Sequence, residues 1–235
     1  MRFDENIHTL LWGSESWVLS AHHSSPSVIS SGRHAGCTLD RVYPDFPLLM
    51  KVIDAKSRLS VQVHPNERTC LVTGGDPKSE MWFILSDGPI FAGLKEGTTP
   101  ETLKSAIAAG KVEELLVRHD AKRGEVYYIP GGLVHAIGDG VKIYEVQQSS
   151  DTTFRLHDWD RKDENGMPRQ LHTQKALQAI DFSIPPPVPC KQLDTPYFSF
   201  RQEILDGERE YLAGEDSFLS IYAERQGEIL LAPGE

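Results

Sequence analysis

From Leu59 onward most of the chain is written in short strand-like runs: LSVQVHP (59–65), MWFIL (81–85), PIFAGL (89–94), EVYYIP (125–130), VKIYEVQQ (141–148), YFSFRQEIL (197–205) and FLSIYAE (218–224). They are rich in β-branched and aromatic residues, and Gly, Pro, Asp or Asn interrupts them every 8 to 15 residues. That punctuation predicts a mainly β fold, a sandwich or barrel of short strands. Gly138-Asp139-Gly140 reads as a hairpin turn. One helical insertion is expected over about 98–118. Thr99-Pro100 supplies an N-cap and a first-turn proline, and Leu103, Ala106 and Ile107 form an apolar stripe ending near Gly110. Val112, Leu115 and Leu116 predict a second short amphipathic helix, and His172 to Ile180 a third.

The segment Pro185-Pro186-Pro187-Val188-Pro189 favours extended polyproline II and reads as a stiff linker. The expected organisation is therefore a catalytic domain over 1–170, a helix and Pro-rich linker over 171–189, and a partial second β domain over 190–235 that lacks its closing strands. At about 150 residues per domain, 235 residues suffice for this arrangement. A net charge of −10 argues against nucleic acid as the main partner. The apolar runs fall far short of the roughly 20 residues of a membrane span, and MRFDENIHTLLWG lacks the apolar core of a signal peptide. Three widely spaced cysteines, Cys37, Cys70 and Cys190, offer no CxxC motif. The expectation is a soluble cytoplasmic protein with a small-molecule substrate, acting as a monomer or homodimer.

Chemistry concentrates in three places. Alternation in Val61-Gln62-Val63-His64 puts Gln62 and His64 on one strand face, opposite the valines. Two polar side chains on a buried face need partners, and a cation would satisfy both. The competing reading is a solvated face with the valines inward. In Gly124-Glu125-Val126-Tyr127-Tyr128-Ile129-Pro130-Gly131-Gly132-Leu133-Val134-His135 the glycines, proline and histidine match the second cupin motif, G-x5-P-x-G-x2-H, at every specified position. Glu80 opens a further strand. Two histidines and a carboxylate with an open position are the ligand set of a catalytic zinc.

The chain resembles the class I mannose-6-phosphate isomerases in their compact bacterial form. The resemblance rests on Trp12-Gly13, SWVLSAHHSSPS (16–27), FPLLMKVIDAKSRLSVQVHPNE (46–67), KSEMWFIL (78–85), GEVYYIPGGLVHAIGDG (124–140) and YEVQQSSDTTFRLHDWDR (144–161). It implies a cupin (jelly-roll) barrel with a helical insertion and a second, smaller β domain. Residue by residue, it implies that His64, Glu80 and His135 ligate Zn2+ (or Mn2+ or Co2+), with Gln62 as a fourth ligand. Arg155 resembles the active-site arginine, Lys78 the substrate-side lysine of a K-x-E motif, and Asp151 an acid lining the site. The implied reaction interconverts mannose 6-phosphate and fructose 6-phosphate through a metal-stabilised cis-enediol. Lys78, deprotonated beside the metal and Arg155, is then the expected base, with His64 and Asp151 assisting ring opening. The alternative is a metal-binding cupin that senses a sugar phosphate or catalyses other chemistry. The spacing of Gln62-x-His64 from Glu80 departs from the usual first cupin motif, HxH-x3/4-E, in the manner of the isomerases.

Arg33, Lys95 and Arg123 are the candidates for binding phosphate. Trp12, Trp17 and Trp82 read as core, with Trp12, Trp17 or Glu15 able to edge the cleft. Asp158-Trp159-Asp160-Arg161 reads as a structural turn closed by an ion pair.

Overall fold

The computed structural model describes residues 1–204, 206–212 and 218–221. In chain order it contains β1 (Arg2–Phe3), β2 (Ile7–Leu10), β3 (Gly13–Ser20), β4 (Ile29–Ser31), α1 (Leu39–Val42), β5 (Leu48–Ala55), β6 (Val61–Val63), α2 (Cys70–Thr73), β7 (Glu80–Ile84) and β8 (Gly88–Leu94). There follow α3 (Pro100–Ala108), β9 (Leu116–Ala121), β10 (Val126–Ile129), β11 (His135–Ile137), β12 (Lys142–Gln148), β13 (Phe154–His157), α4 (Thr173–Ala179), β14 (Gln192–Asp194) and β15 (Ser199–Arg201). Two antiparallel sheets carry the fold: a six-stranded one ordered β10-β7-β12-β5-β3-β2 and a five-stranded one ordered β13-β6-β11-β8-β9. They are separate ladders rather than one closed barrel.

Three apolar layers follow from strand alternation. The inner faces of the two sheets meet in a core of Ile53, Trp82, Ile84, Ile129 and Ile143 against Ile90, Ala92 and Ile137. The outer face of the five-stranded sheet (Val61, Val63, Phe91, Ala136, Leu156) is covered by Leu103 of α3 and Ala176 and Ala179 of α4. The outer face of the six-stranded sheet (Met50, Met81, Phe83, Val146) is covered by Leu193, Phe198 and Phe200. Val61 and Val63 are thus buried under helices while Gln62 faces the interior. Neither face of that strand is the solvated one that alternation alone allowed.

The helical insertion is α3. Its Thr99 side chain accepts the Thr102 N–H at 3.2 Å, and the Thr102 hydroxyl oxygen accepts the Thr99 N–H at 2.8 Å, so these two N-terminal amides are satisfied reciprocally. The second expected helix is a single 3-10 turn at Val112–Leu115. Leu116 leaves it to pair with Leu94 in the ladder, and buried Val112 and Leu116 both meet the outer core without a further turn. The third helix forms as α4. Gly138-Asp139-Gly140 closes no hairpin. It carries the chain from β11 in one sheet to β12 in the other, held by Gly138 N–H on Pro89 O (2.9 Å) and Gly140 N–H on Ala55 O (2.7 Å). The proline linker packs as well: a Cβ on Gly93 would stand 2.8 Å from Pro186 Cα. Beyond it, β14 and β15 form a hairpin on the six-stranded sheet, with Cys190 bridged to Val126. Most of the closing part of the expected second domain lies outside the described residues.

Candidate metal centre

One row of the five-stranded ladder aligns Arg155 with Gln62, Gln62 with His135, and His135 with Ala92, so these side chains share the inner face. His64 follows β6, and Glu80 opens β7 on the facing sheet. The turn between β10 and β11 brings the two histidine segments together. Gly132 adopts φ +99 and donates its N–H to His64 O at 2.8 Å. At Gly131 a Cβ would meet Pro65 O at 2.6 Å, so only glycine lets the two backbones come this close.

His64, Glu80 and His135 are each about 1% exposed, and one ligand atom from each lies within 4.8 Å of the others. His64 Nε2 is 3.4 Å from Glu80 Oε2, His135 Nε2 is 3.6 Å from Glu80 Oε1, and Gln62 Nε2 is 3.3 Å from His135 Nε2. These separations are close to the roughly 3.3 Å edge of a tetrahedron built on 2.0–2.1 Å metal bonds. The outer nitrogens are already used: His64 Nδ1–H donates to Thr152 O at 2.7 Å and His135 Nδ1–H to Leu133 O at 2.9 Å. Both lone pairs therefore sit on Nε2, facing Glu80. Among the described residues His64 Nε2 and Glu80 Oε2 are buried without a hydrogen bond, as are Glu145 Oε1 and Gln147 Oε1. Orphaned acceptors so arranged fit a cation. Burial, reinforced by the charge of Lys78, pushes the His64 pKa down to about 3 and keeps it neutral, as a ligand must be. Gln62 joins the set only with its amide oxygen turned toward His135, since an amide nitrogen offers no lone pair.

The six-stranded sheet supplies a run of buried charges, two of which, Lys51 and Glu145, sequence reading missed. Its inner face aligns Trp17, Lys51, Glu145, Trp82 and Tyr127 in register. Trp82 Nε1–H stands 3.0 Å from both Glu80 Oε1 and Glu145 Oε2, tying the ligand to a second carboxylate. Lys51 Nζ lies 3.2 Å from Glu15 and 3.8 Å from Glu145, and Lys78 Nζ lies 3.1 Å from Glu80. Burial, then the charge of Glu80, raises the Glu145 pKa to about 7. For Lys78 burial acts to lower the pKa, but Glu80 and Glu145 outweigh it, and the net shift is upward. That upward shift favours the ammonium form at Lys78, whereas the expected base is the deprotonated amine. The signal for Lys51 and Glu145 was present: each is a charge flanked on both sides by apolar residues, in Met50-Lys51-Val52 and Tyr144-Glu145-Val146.

Of the remaining predicted site residues, Arg155 stands beside Gln62 with its Nε–H on Gln170 O at 3.3 Å. Asp151, with its side chain 60% exposed, lies at the rim, 3.9 Å from His22. Glu15 accepts the Trp17 Nε1–H at 2.7 Å. Arg33, Lys95 and Arg123 do not form one anion pocket: Arg33 bonds His34, Lys95 bonds the Glu114 carbonyl, and Arg123 sits in the turn on Asp87. Asp158 pairs with Arg161 and with Arg169, and Trp159 and Asp160 take positive φ, which is the expected structural turn. Among the described residues no helix is long and apolar enough to cross a membrane.

Residues 9–81 match the sequence pattern of the phosphomannose isomerase type I catalytic domain. The chain is 41% identical over 189 residues to mannose-6-phosphate isomerase ManA of Bacillus subtilis, matching 73% of this chain and 60% of that protein. It is 39% identical over 186 residues to the Streptococcus mutans mannose-6-phosphate isomerase, matching 73% of this chain and 59% of that one. The chain thus spans about three-fifths of the length of these relatives. With the mannose-6-phosphate isomerase homologue YvyI of B. subtilis it shares 33% identity over 234 residues, or 87% of this chain and 73% of the other. The crystal structure of a B. subtilis mannose 6-phosphate isomerase superposes with a TM-score of 0.77 at 29% identity, over 84% of this chain and 77% of that one. On this sequence and structural similarity, the chain belongs to the type I phosphomannose isomerase family.

Proposed function

We propose that the chain interconverts mannose 6-phosphate and fructose 6-phosphate, with Zn2+ held by His64, Glu80 and His135 and with Gln62 as a fourth donor. The observation that carries this reading is the buried cluster of His64, Glu80 and His135, contributed by the two facing sheets, in which His64 Nε2 has no hydrogen-bond partner. A bound metal ion supplies Lewis-acid polarisation of the sugar's carbonyl and neighbouring hydroxyl oxygens. The protein's own groups do the rest. The reaction moves one proton between C1 and C2 of the open-chain sugar, through a cis-enediol. Glu145 is placed to take that proton and return it to the neighbouring carbon, and a carboxylate with a pKa near 7 is matched to the task. Lys78 and Lys51, paired with Glu80, Glu15 and Glu145, face the negative charge that develops on oxygen. Arg155 supplies a permanent cation for the enediolate or the phosphate.

The same reading keeps a catalytic unit over 1–170, a helix and linker over 171–189 and a partial second domain over 190–235, in a cytoplasmic protein that is a monomer or homodimer. The test is fructose 6-phosphate formation by protein stripped of metal and then reloaded with Zn2+, Mn2+ or Co2+. Turnover that returns with metal and is absent in His135→Ala is the expected result. Tight metal binding with no turnover on either sugar phosphate would move the protein to a sensing role.

A further inference from the structure

Asp151 is expected to act beside His64, but both nitrogens of His64 are committed, one to Thr152 O and the other toward Glu80. The imidazole that faces Asp151 is His22. Its backbone N–H is on Ser20 Oγ at 3.1 Å, and its ring stands edge-on to Trp17, centroids 6.0 Å apart. Trp17 carries Lys51 over its own face at 4.8 Å, so His22 is one ring away from the charged wall. Asp151, on the other side, precedes Thr152, whose carbonyl orients the ligand His64. The pair therefore stands at the rim of the metal centre. The protonation of the ring follows from Ser24. Its N–H lies 3.3 Å from His22 Nδ1 and its hydroxyl 2.7 Å, so Nδ1 accepts and the single proton of the neutral ring sits on Nε2. That Nε2–H finds no acceptor among the described residues: Asp151 Oδ1, at 3.9 Å, is too far for a hydrogen bond. Nor is Nε2 sealed in as His64 Nε2 is. A donor and an acceptor at this spacing complement one hydroxyl group, which accepts from Nε2–H and donates to the carboxylate.

We propose that His22 Nε2–H and Asp151 together bind one secondary hydroxyl of the sugar chain, on C3 or C4, and so hold the reacting carbons over the metal centre. The assignment rests on the isomerase reading. C1 and C2 belong at the metal and Glu145, so a hydroxyl held at the rim is one farther along the chain. The carboxylate decides against the phosphate: a dianion beside Asp151 is repelled, whereas a neutral hydroxyl satisfies both partners. No proton changes hands; the hydroxyl only accepts one hydrogen bond and donates another. Burial holds the His22 pKa below its usual 6.5 against the pull of Asp151 and Asp76, with His23 and Lys51 reinforcing it, so the ring keeps the neutral form that this geometry needs.

The probe is mannitol 6-phosphate, which keeps the hydroxyls and phosphate of the open chain but has no carbonyl to isomerise. Its affinity for the metal-loaded full chain is measured by calorimetry beside those of its 3-deoxy and 4-deoxy forms, with fructose 6-phosphate formation from mannose 6-phosphate assayed in parallel. One of the two deoxy forms binds the wild-type chain roughly 10- to 100-fold more weakly than the parent. In His22→Phe, which keeps a flat ring but no donor, the parent weakens by that factor and its advantage over that deoxy form disappears. A change that merely loosened the rim would weaken all three ligands alike. His22→Gln, whose amide N–H can stand where Nε2–H stood, retains the preference. Metal content and melting temperature show that the variants are folded, and Asp151→Ala, on the exposed side of the pair, serves if His22→Phe is not. A wild-type preference undiminished in these variants, or no preference against either deoxy form, would overturn the assignment while leaving isomerisation standing. A preference lost in His22→Phe, with no fructose 6-phosphate from the wild-type chain, would uphold the hydroxyl site and overturn the isomerase reading. A chain that neither binds mannitol 6-phosphate nor forms fructose 6-phosphate overturns both.

Discussion

The two sheets contribute different chemistry to the same site. The five-stranded sheet and the segment that follows β6 bring neutral donors, Gln62, His64 and His135, and at the edge Arg155. Each imidazole is oriented by a backbone carbonyl, so this wall is set by main-chain geometry alone. The six-stranded sheet brings alternating full charges, Glu15, Lys51, Glu145, Glu80 and Lys78, oriented by one another and by the Trp17 and Trp82 indoles. On the proposed reading the wall of dipoles holds the metal and the wall of charges moves the proton, so the two can be broken separately.

The largest effect is expected on the neutral wall. His64→Ala removes a ligand whose outer nitrogen anchors it to Thr152, and metal content measured by inductively coupled plasma spectrometry falls from one ion per chain toward none, with turnover. On the charged wall Glu145→Gln keeps the metal but lowers kcat by roughly 10²–10⁴-fold. The wild-type rate rises with pH through about 7, because Glu145 must lose its proton to act as base, and that limb disappears in the variant. A Glu145→Gln protein that lost its metal would show that the walls are not separable. Between the walls, Trp82→Phe removes the N–H shared by Glu80 and Glu145 and leaves two carboxylates unscreened, which weakens metal binding by about 10–100-fold in a competition titration. The smallest effect comes from a charge pair of the same sheet that faces solvent. Lys56 and Asp54 meet at 2.9 Å with Lys56 72% exposed, and Asp54→Asn changes stability in chemical denaturation by less than about 1 kcal/mol.

Apo-protein stability carries a related signature. A Glu145 pKa of about 7 against an ordinary 4.5 means that the folded state binds the extra proton between those values. Its contribution therefore falls as pH rises through that window. Denaturant midpoints of metal-free wild type and Glu145→Gln, compared across pH 4.5 to 7, isolate it.

Legibility divided along the same line. The ligands were readable because their spacing is tied to turns: Gly124, Pro130 and Gly132 fix where His135 emerges, and strand alternation fixes Gln62 against the valines. The charged wall was not, because Lys51 and Glu145 are 94 positions apart and meet only through ladder register, which depends on strands that sequence cannot pair. Lys78 was placed, but Glu145, one of the carboxylates that raise its pKa, was not in view. The glycine pair around Asp139 misled for the opposite reason: a turn signal says that the chain reverses, not into which sheet it goes.

The close approach of Gly131 to Pro65, with Gly132 bonded to His64 O, has a consequence in time. The two imidazoles are spaced by backbone contact before any ion arrives, so capture needs no folding step. Gly131→Ala, which must push the turn between β10 and β11 away from Pro65, is therefore expected to weaken metal binding without touching a ligand, as a competition titration would read.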